Sequence, residues 1–362
     1  MNLHNLLMLK CNTRFVSPEK IVSKVFYNFK SLLLSNCDLY HFFNCINWDK
    51  DRKWVLSVES AVPWVQSVYK EVEYETIDFS KIGSDKYIKR VVERLADQSC
   101  LALLPLSRCS YNIQHAMMKQ FPQYYEAVMK KTYVLHPPQD LKVERVEDKG
   151  VSWDEEGVFT FIYVGKNFFR KGGCETLDVL SSLKNKYNFR LILISSLEPD
   201  EPKYDRVTPY DVRQKIEENK SWIDFYEGLP NEEVIKKMKE SHVCLLPTWM
   251  DTYAYSVLES QACGTPLITT SLRALTEIND ESVGWLIDVP VNELNHPLHN
   301  TREEQERFHE MLYNGLFEKV EYVLTHRDEV KLKSDRCINK IRSKHSPADY
   351  SKVLERIYTR GI

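Results

Sequence analysis

Short apolar, β-branched runs alternate with longer stretches of helical period along this chain, the pattern of parallel α/β construction. In the first half, Asp38–Phe43 (DLYHFF), Trp54–Val58 (WVLSV) and Leu101–Leu106 (LALLPL) read as strands. Helical periods cover Asp85–Ala96 and Asn112–Met118. Thr132–Leu135 runs into His136-Pro137-Pro138, where a double proline stops any regular element. The acidic, strand-poor stretch 139–157 reads as a linker.

The second half repeats the alternation more cleanly. Strands are expected over Phe159–Val164, Arg190–Ile194, Trp222–Tyr226, His242–Leu246 and Pro266–Thr269. Between them lie helical patterns over Cys174–Lys186, Asp211–Asn219, Asn231–Glu240 (with Asn231 as its cap) and Tyr255–Cys263. The predicted architecture is two Rossmann-like, doubly wound domains facing a central cleft. They span 1–138 and 158–345, and a terminal helix follows over 346–362. Sheets of this kind bind ligands in loops at the carboxyl ends of their strands.

Composition narrows the class. A chain of 362 residues exceeds one ordinary core. The 49 basic residues nearly cancel the 52 acidic ones, which argues against a nucleic-acid partner. Nine cysteines are scattered singly with no C-x-x-C pair, as in a reducing compartment. No signal-peptide pattern and no spanning apolar run is seen, so the expectation is a cytoplasmic protein. Docking at the inner face of a membrane stays open, since Phe26-Tyr27-Asn28-Phe29-Lys30 suits a membrane surface or an ordinary core helix alike.

Two segments carry candidate chemistry. The first, Leu246–Pro266, is LPTWMDTYAYSVLESQACGTP: a strand end, a loop, then a helix beginning near Ala254. Asp251 stands just before that helix and Glu259 about two turns inside it. Helix N-terminal amides suit a diphosphate, a carboxylate before them can grip sugar hydroxyls, and one further along can accept from a ribose diol. The second, Tyr163–Gly173 (YVGKNFFRKGG), puts Lys166, Arg170 and Lys171 after a strand and before a helix. Cations there suit a diphosphate whose charge grows as a glycosidic bond breaks. Its glycines and lysines are wrongly spaced for a P-loop.

Over about Phe159 to Pro290 the chain resembles glycosyltransferase family 4, whose hallmark is two acids separated by seven residues and then Ala-x-Gly-x-Pro. Asp251, Glu259 and Ala262-Cys263-Gly264-Thr265-Pro266 match it, with Asp in place of the family's Glu and Ala254 in place of its Gly. The resemblance implies a GT-B fold and a retaining, metal-independent transfer from a nucleoside diphosphate sugar. Glu259 would bind the donor ribose and Asp251 the transferred sugar. Gly165, Lys166, Arg170, Lys171 and the backbone at Thr252, Tyr253, Ala254, Tyr255 and Ser256 would meet the diphosphate. Gly228 and Leu229 would lie by the nucleobase, and Ser107 matches a position near the donor.

In the first half the first glycine is Gly83, so the glycine-rich loop of many relatives is missing. Glu59 stands where relatives carry a cleft histidine. It would stabilise developing positive charge or hold an acceptor hydroxyl; capping a helix or forming an ion pair suits it equally. His41 reads as a structural histidine. Asp49-Lys50-Asp51 spells the D-x-D of metal-dependent transferases, but it sits in a charged loop far in sequence from the donor motifs. No metal and no cofactor are expected, since Lys166, Arg170 and Lys171 supply the countercharge. The expected acceptor is a saccharide, lipid-linked by analogy with relatives that build surface polysaccharides. Rival readings are a catalytically silent module of the same fold and a nucleotide-sugar epimerase.

Overall fold

Parallel pairing organises both halves of the chain in the computed structural model, which describes residues 28–30, 37–60, 79–154, 156–199 and 207–360. Phe26 and Tyr27 of the proposed membrane-touching segment lie outside these residues. The chain divides into two units, Met1–Pro137 with Ala348–Ile362, and Pro138–Pro347.

In the first unit β1 (Asn28–Phe29) pairs with β3 (Ile46–Asn47), while β2 (Leu39–Phe43), β4 (Lys53–Val58) and β5 (Cys100–Pro105) form a parallel sheet in the order β2-β4-β5. Trp54 to Val58 of β4 are all buried, as a strand covered on both faces requires. Two helices beyond β5 the chain returns and runs parallel to it, with Tyr133 N–H donating to Leu103 O (3.0 Å) and Leu135 N–H to Pro105 O (2.9 Å). Helix α1 (Lys86–Ala96) starts where Asp85 accepts from the amides of Tyr87 and Ile88. Helix α2 (Arg108–Met118) begins four residues earlier than its periodicity suggested, because Ser107 caps it. Helix α3 (Pro122–Met129), which the sequence reading lacks, opens on a proline with preset φ.

The second unit carries one six-stranded parallel sheet. Its strands are β6 (Phe159–Val164), β7 (Phe189–Ile194), β8 (Ile223–Tyr226), β9 (Val243–Leu246), β10 (Leu267–Thr270) and β11 (Trp285–Ile287), ordered β11-β10-β9-β6-β7-β8. The chain starts at the centre with β6, winds outward to β8, returns to β9 beside β6 and winds outward the other way. This is the doubly wound order, and it leaves a switch point between β6 and β9. The covering helices are α4 (Gly173–Leu183), α5 (Pro209–Glu218), α6 (Asn231–Lys239), α7 (Tyr255–Ala262), α8 (Arg302–Thr325) and α9 (Arg327–Lys344).

Three expectations are corrected. Pro230, not Asn231, is the cap position of α6, so Asn231 is free for another task. The stretch 139–157 is no free linker: Val143, Val146 and Lys149 are buried at every third position, behind the acids that dominate its composition. Its backbone is stitched to the second unit by Lys142 N–H to Ala262 O (2.9 Å) and Gly150 N–H to Lys239 O (3.2 Å). The terminal helix α10 (Pro347–Arg360) is not a separate appendage. Its Ile357 packs with Val55, Ala102 and Leu104 in the first unit's core. His41 is tied into the same arrangement, 2.8 Å from Ser57 Oγ and 2.6 Å from Tyr358 Oη.

Candidate functional site

A switch point leaves a crevice outside the carboxyl ends of the two strands that flank it, because their connections depart in opposite directions. Here those strands are β6 and β9, paired through Phe161–Val243 and Tyr163–Leu245. The loop after β6 is Gly165–Gly172, and the loop after β9 is Pro247–Ala254. The two segments singled out in the sequence are thus neighbours in space.

Their closeness depends on Gly172. Its φ is +76°, and a Cβ there would stand 2.0 Å from the carbonyl oxygen of Pro247. Across this contact Lys171 Nζ donates to Asp251 Oδ2, an ion pair with both side chains largely buried. Asp251 Oδ1 accepts from the Thr252 amide at 2.8 Å. The lysine stem packs on Gly165, whose missing Cβ would lie 3.2 Å from Lys171 Cγ.

Arg170 ties the two loops together. Its Nη1 donates to Met250 O (2.9 Å) and its own carbonyl accepts from Trp249 N–H (2.9 Å), so it braces one loop against the other. Lys166 is exposed and forms no ion pair among the described residues. Lys166, Arg170 and Lys171 all stand on the loop that follows β6.

Helix α7 starts immediately beyond. Ala254, at its cap position, has φ +62° and no side-chain cap bond, and the first amides of the helix have no acceptor within it. Such a terminus attracts anions. Tyr253 is buried and Tyr255 and Ser256 are not, so the exposed edge of this turn comes from the last two. Two turns along, Glu259 is half-buried. Burial pushes its carboxyl above the ordinary range, opposed by a hydrogen bond from Asn231 and the charge of Lys142. Asn231, freed from capping, orients the carboxylate.

Gly228 and Leu229 follow β8 at the same end of the sheet; a Cβ on Gly228 would touch nothing within 4 Å. Glu59 and Ser107 belong to the other unit. Glu59 is half-buried at the end of β4, its amide donating to Asn44 Oδ1 at 3.2 Å. Ser107 is buried, with its Oγ accepting from Ser110 N–H (3.0 Å) as the cap of α2.

Sequence reading missed the buttress behind the Asp251 loop. Trp249 Nε1 donates to Glu175 Oε1 (3.1 Å), His309 Nδ1 lies 2.9 Å from the same oxygen, and the indole stacks on Phe308. Nothing in the spacing of 175, 249 and 309 announces this, although an acid at the start of a helix next to a Gly-Gly turn is a weak signal. Arg273 was missed too. It is 2% exposed, has φ +49°, and its Nε has no partner among the described residues.

Residues 146–315 match the family model of Glycosyl transferases group 1, a span holding both loops and α7. An uncharacterized glycosyltransferase of Methanocaldococcus jannaschii is 24% identical over 153 residues, 38% of this chain; the match spans only 36% of that relative's length. Sucrose-phosphate synthase of Thermosynechococcus elongatus superposes with a TM-score of 0.57 at 15% identity, covering 89% of this chain and 73% of that one. WaaG, a glycosyltransferase involved in lipopolysaccharide biosynthesis, gives 0.52 at 16% identity over 88% of this chain and 78% of its own. Anabaena HepE in complex with UDP and glucose gives 0.53 at 11% identity, covering 88% and 77%. The fold is GT-B, with two Rossmann-like α/β domains.

Proposed function

We propose that this chain is a retaining glycosyltransferase, moving a sugar from a nucleoside diphosphate to an acceptor hydroxyl without a metal ion. The observation that carries the reading is the Lys171–Asp251 contact. It lies at the switch point of the sheet, beside the start of α7, with Glu259 further along the same helix. A diphosphate seated on the α7 amides would lie between Lys166 and Lys171. Glu259, oriented by Asn231, would accept from the ribose diol. Asp251 would hold a sugar hydroxyl while keeping Lys171 aimed at the leaving group.

The chemistry asked of these residues is electrostatic. Negative charge accumulates on the diphosphate as the anomeric bond breaks, and preorganised cations lower that barrier without reorganising. Lys171 spends one donor on Asp251, which leaves two for phosphate oxygens. Retention rests on the resemblance to family 4, and the match to the group 1 transferases supports the reaction class. The acceptor is proposed to be a saccharide, lipid-linked, in surface glycan synthesis. Glu59 is proposed as the first unit's contribution to the reaction.

A thermal-shift panel of UDP-, GDP-, ADP- and dTDP-sugars on the wild type and Glu259→Ala tests the donor site. One nucleotide should stabilise the wild type by about 2–4 kcal/mol at concentrations far above its dissociation constant, and the variant should lose the effect. No shift with any nucleotide would remove the transferase reading.

A further inference from the structure

A cavity of about 390 Å³ opens in the first unit between α10 and the floor formed by β5 with the returning chain 133–135. Leu104 and Leu135 line it from below. Val353, Arg356, Ile357 and Arg360 line it from above, at i, i+3, i+4 and i+7 of one helix face. The floor's backbone is already satisfied, since Tyr133 and Leu135 donate to Leu103 and Pro105. Besides its apolar wall the cavity offers two exposed guanidiniums and the Tyr133 ring, whose hydroxyl donates to Lys130 O (2.6 Å).

Among the described residues neither Arg356 nor Arg360 forms an ion pair, while Asp349 of the same helix is taken by Lys352 at 3.0 Å. The volume falls within the roughly 300–1,000 Å³ of small-molecule sites. A nucleotide would set most of its base and ribose polar atoms against hydrocarbon, beyond the reach of the two guanidiniums that its phosphates would occupy. A single alkyl or prenyl tail fits the wall, and an anionic head fits a pair of guanidinium forks.

We propose that this cavity binds a single-chain anionic amphiphile, its tail along Tyr133, Val134, Leu135 and Val353, over the buried Leu104 and Ile357, and its head on Arg356 and Arg360. The site belongs to the first unit alone and stands whether or not the chain transfers sugar.

Calorimetric titration with monododecyl phosphate below its micelle concentration tests it. The probe should bind the wild type at one site, while inorganic phosphate and dodecyl maltoside bind far more weakly. Arg356→Gln/Arg360→Gln should weaken binding by roughly tenfold or more. Val353→Trp, a change at the cavity's exposed edge, should block it while circular dichroism reports an intact fold. Equal binding of dodecyl maltoside, or unchanged affinity in the glutamine pair, overturns the proposal. So does binding to phosphatidylglycerol vesicles without binding of the monomer, which would make this a membrane surface. A wild-type dimer that Val353→Trp renders monomeric in sedimentation velocity would give the cavity to a second copy and equally overturn it.

Discussion

Lys171 and Asp251, 80 residues apart in the sequence, form an ion pair whose side chains are only 15% and 11% exposed. Two charges so withdrawn from water depend on one another, so removing one should cost more than removing both. Lys171→Met should lower stability by about 3 kcal/mol and kcat/KM by roughly a hundredfold or more. Lys171→Met/Asp251→Leu should regain most of the stability and none of the turnover. Denaturant melts combined with a nucleotide-sugar assay give both numbers; wild-type turnover in Lys171→Met would refute the assigned role.

Backbone conformation separates two positions that look alike in sequence. Gly172→Ala would drive a methyl into the Pro247 carbonyl, which leaves no room for relaxation without parting the two loops. A loss of at least about 3 kcal/mol is expected, with loss of donor binding. Ala254→Gly should be neutral or stabilising by up to about 1 kcal/mol, because an alanine held at φ +62° gives up left-handed strain. Paired thermal melts decide, and a destabilised Ala254→Gly would contradict the account.

Lys149 lies buried between Cys263 O (3.2 Å) and Thr265 Oγ1 (2.5 Å), and burial pulls its ammonium down from 10.5 to about 7. The unfolded chain keeps the proton to higher pH than the folded one, so stability should rise as pH climbs from 7 towards 10.5. The gain is up to about 5 kcal/mol if nothing else titrates. Urea midpoints across that window should show the slope, and Lys149→Met should flatten it.

His242 works the acid side. Its Nδ1 accepts from Thr160 N–H (3.0 Å) and its other nitrogen donates to Ser152 O (2.8 Å), a neutral ring. Burial first, then the charges of Lys149 and Arg327, lower it from 6.5 to about 4. Protonation therefore favours the unfolded chain, and about 3 kcal/mol should be lost as pH falls from 6.5 through 4. His242→Gln should be less stable at neutral pH but lose less on acidification; equal acid sensitivity would rule the histidine out.

Much of the second unit was legible because buried parallel strands write themselves as uninterrupted apolar runs, FTFIYV and HVCLLP being clear cases. The two candidate segments were legible for a related reason, since glycine and acids cluster where strands end. Segment 142–150 was not, because only one residue in three is buried and the acids between them set its apparent character. Helices α8 and α9 went unread even though Thr301 and Glu304 form a capping box in plain sight. The partners of Arg170, Ser107 and Asn231 were not legible. Each is a polar side chain whose partner is a backbone group or a residue that only tertiary structure brings near.

Helix α10 also sets an order of events in synthesis. The first unit's core needs Ile357, yet residues 138–347 belong to the second unit and leave the ribosome earlier. The second unit can therefore finish folding while the first is still waiting for its last piece, with β4 and β5 already made. During that interval Val55, Ala102 and Leu104 lack their cover, so the nascent chain is most exposed to chaperones and to aggregation through its N-terminal half. The half translated first is the half completed last.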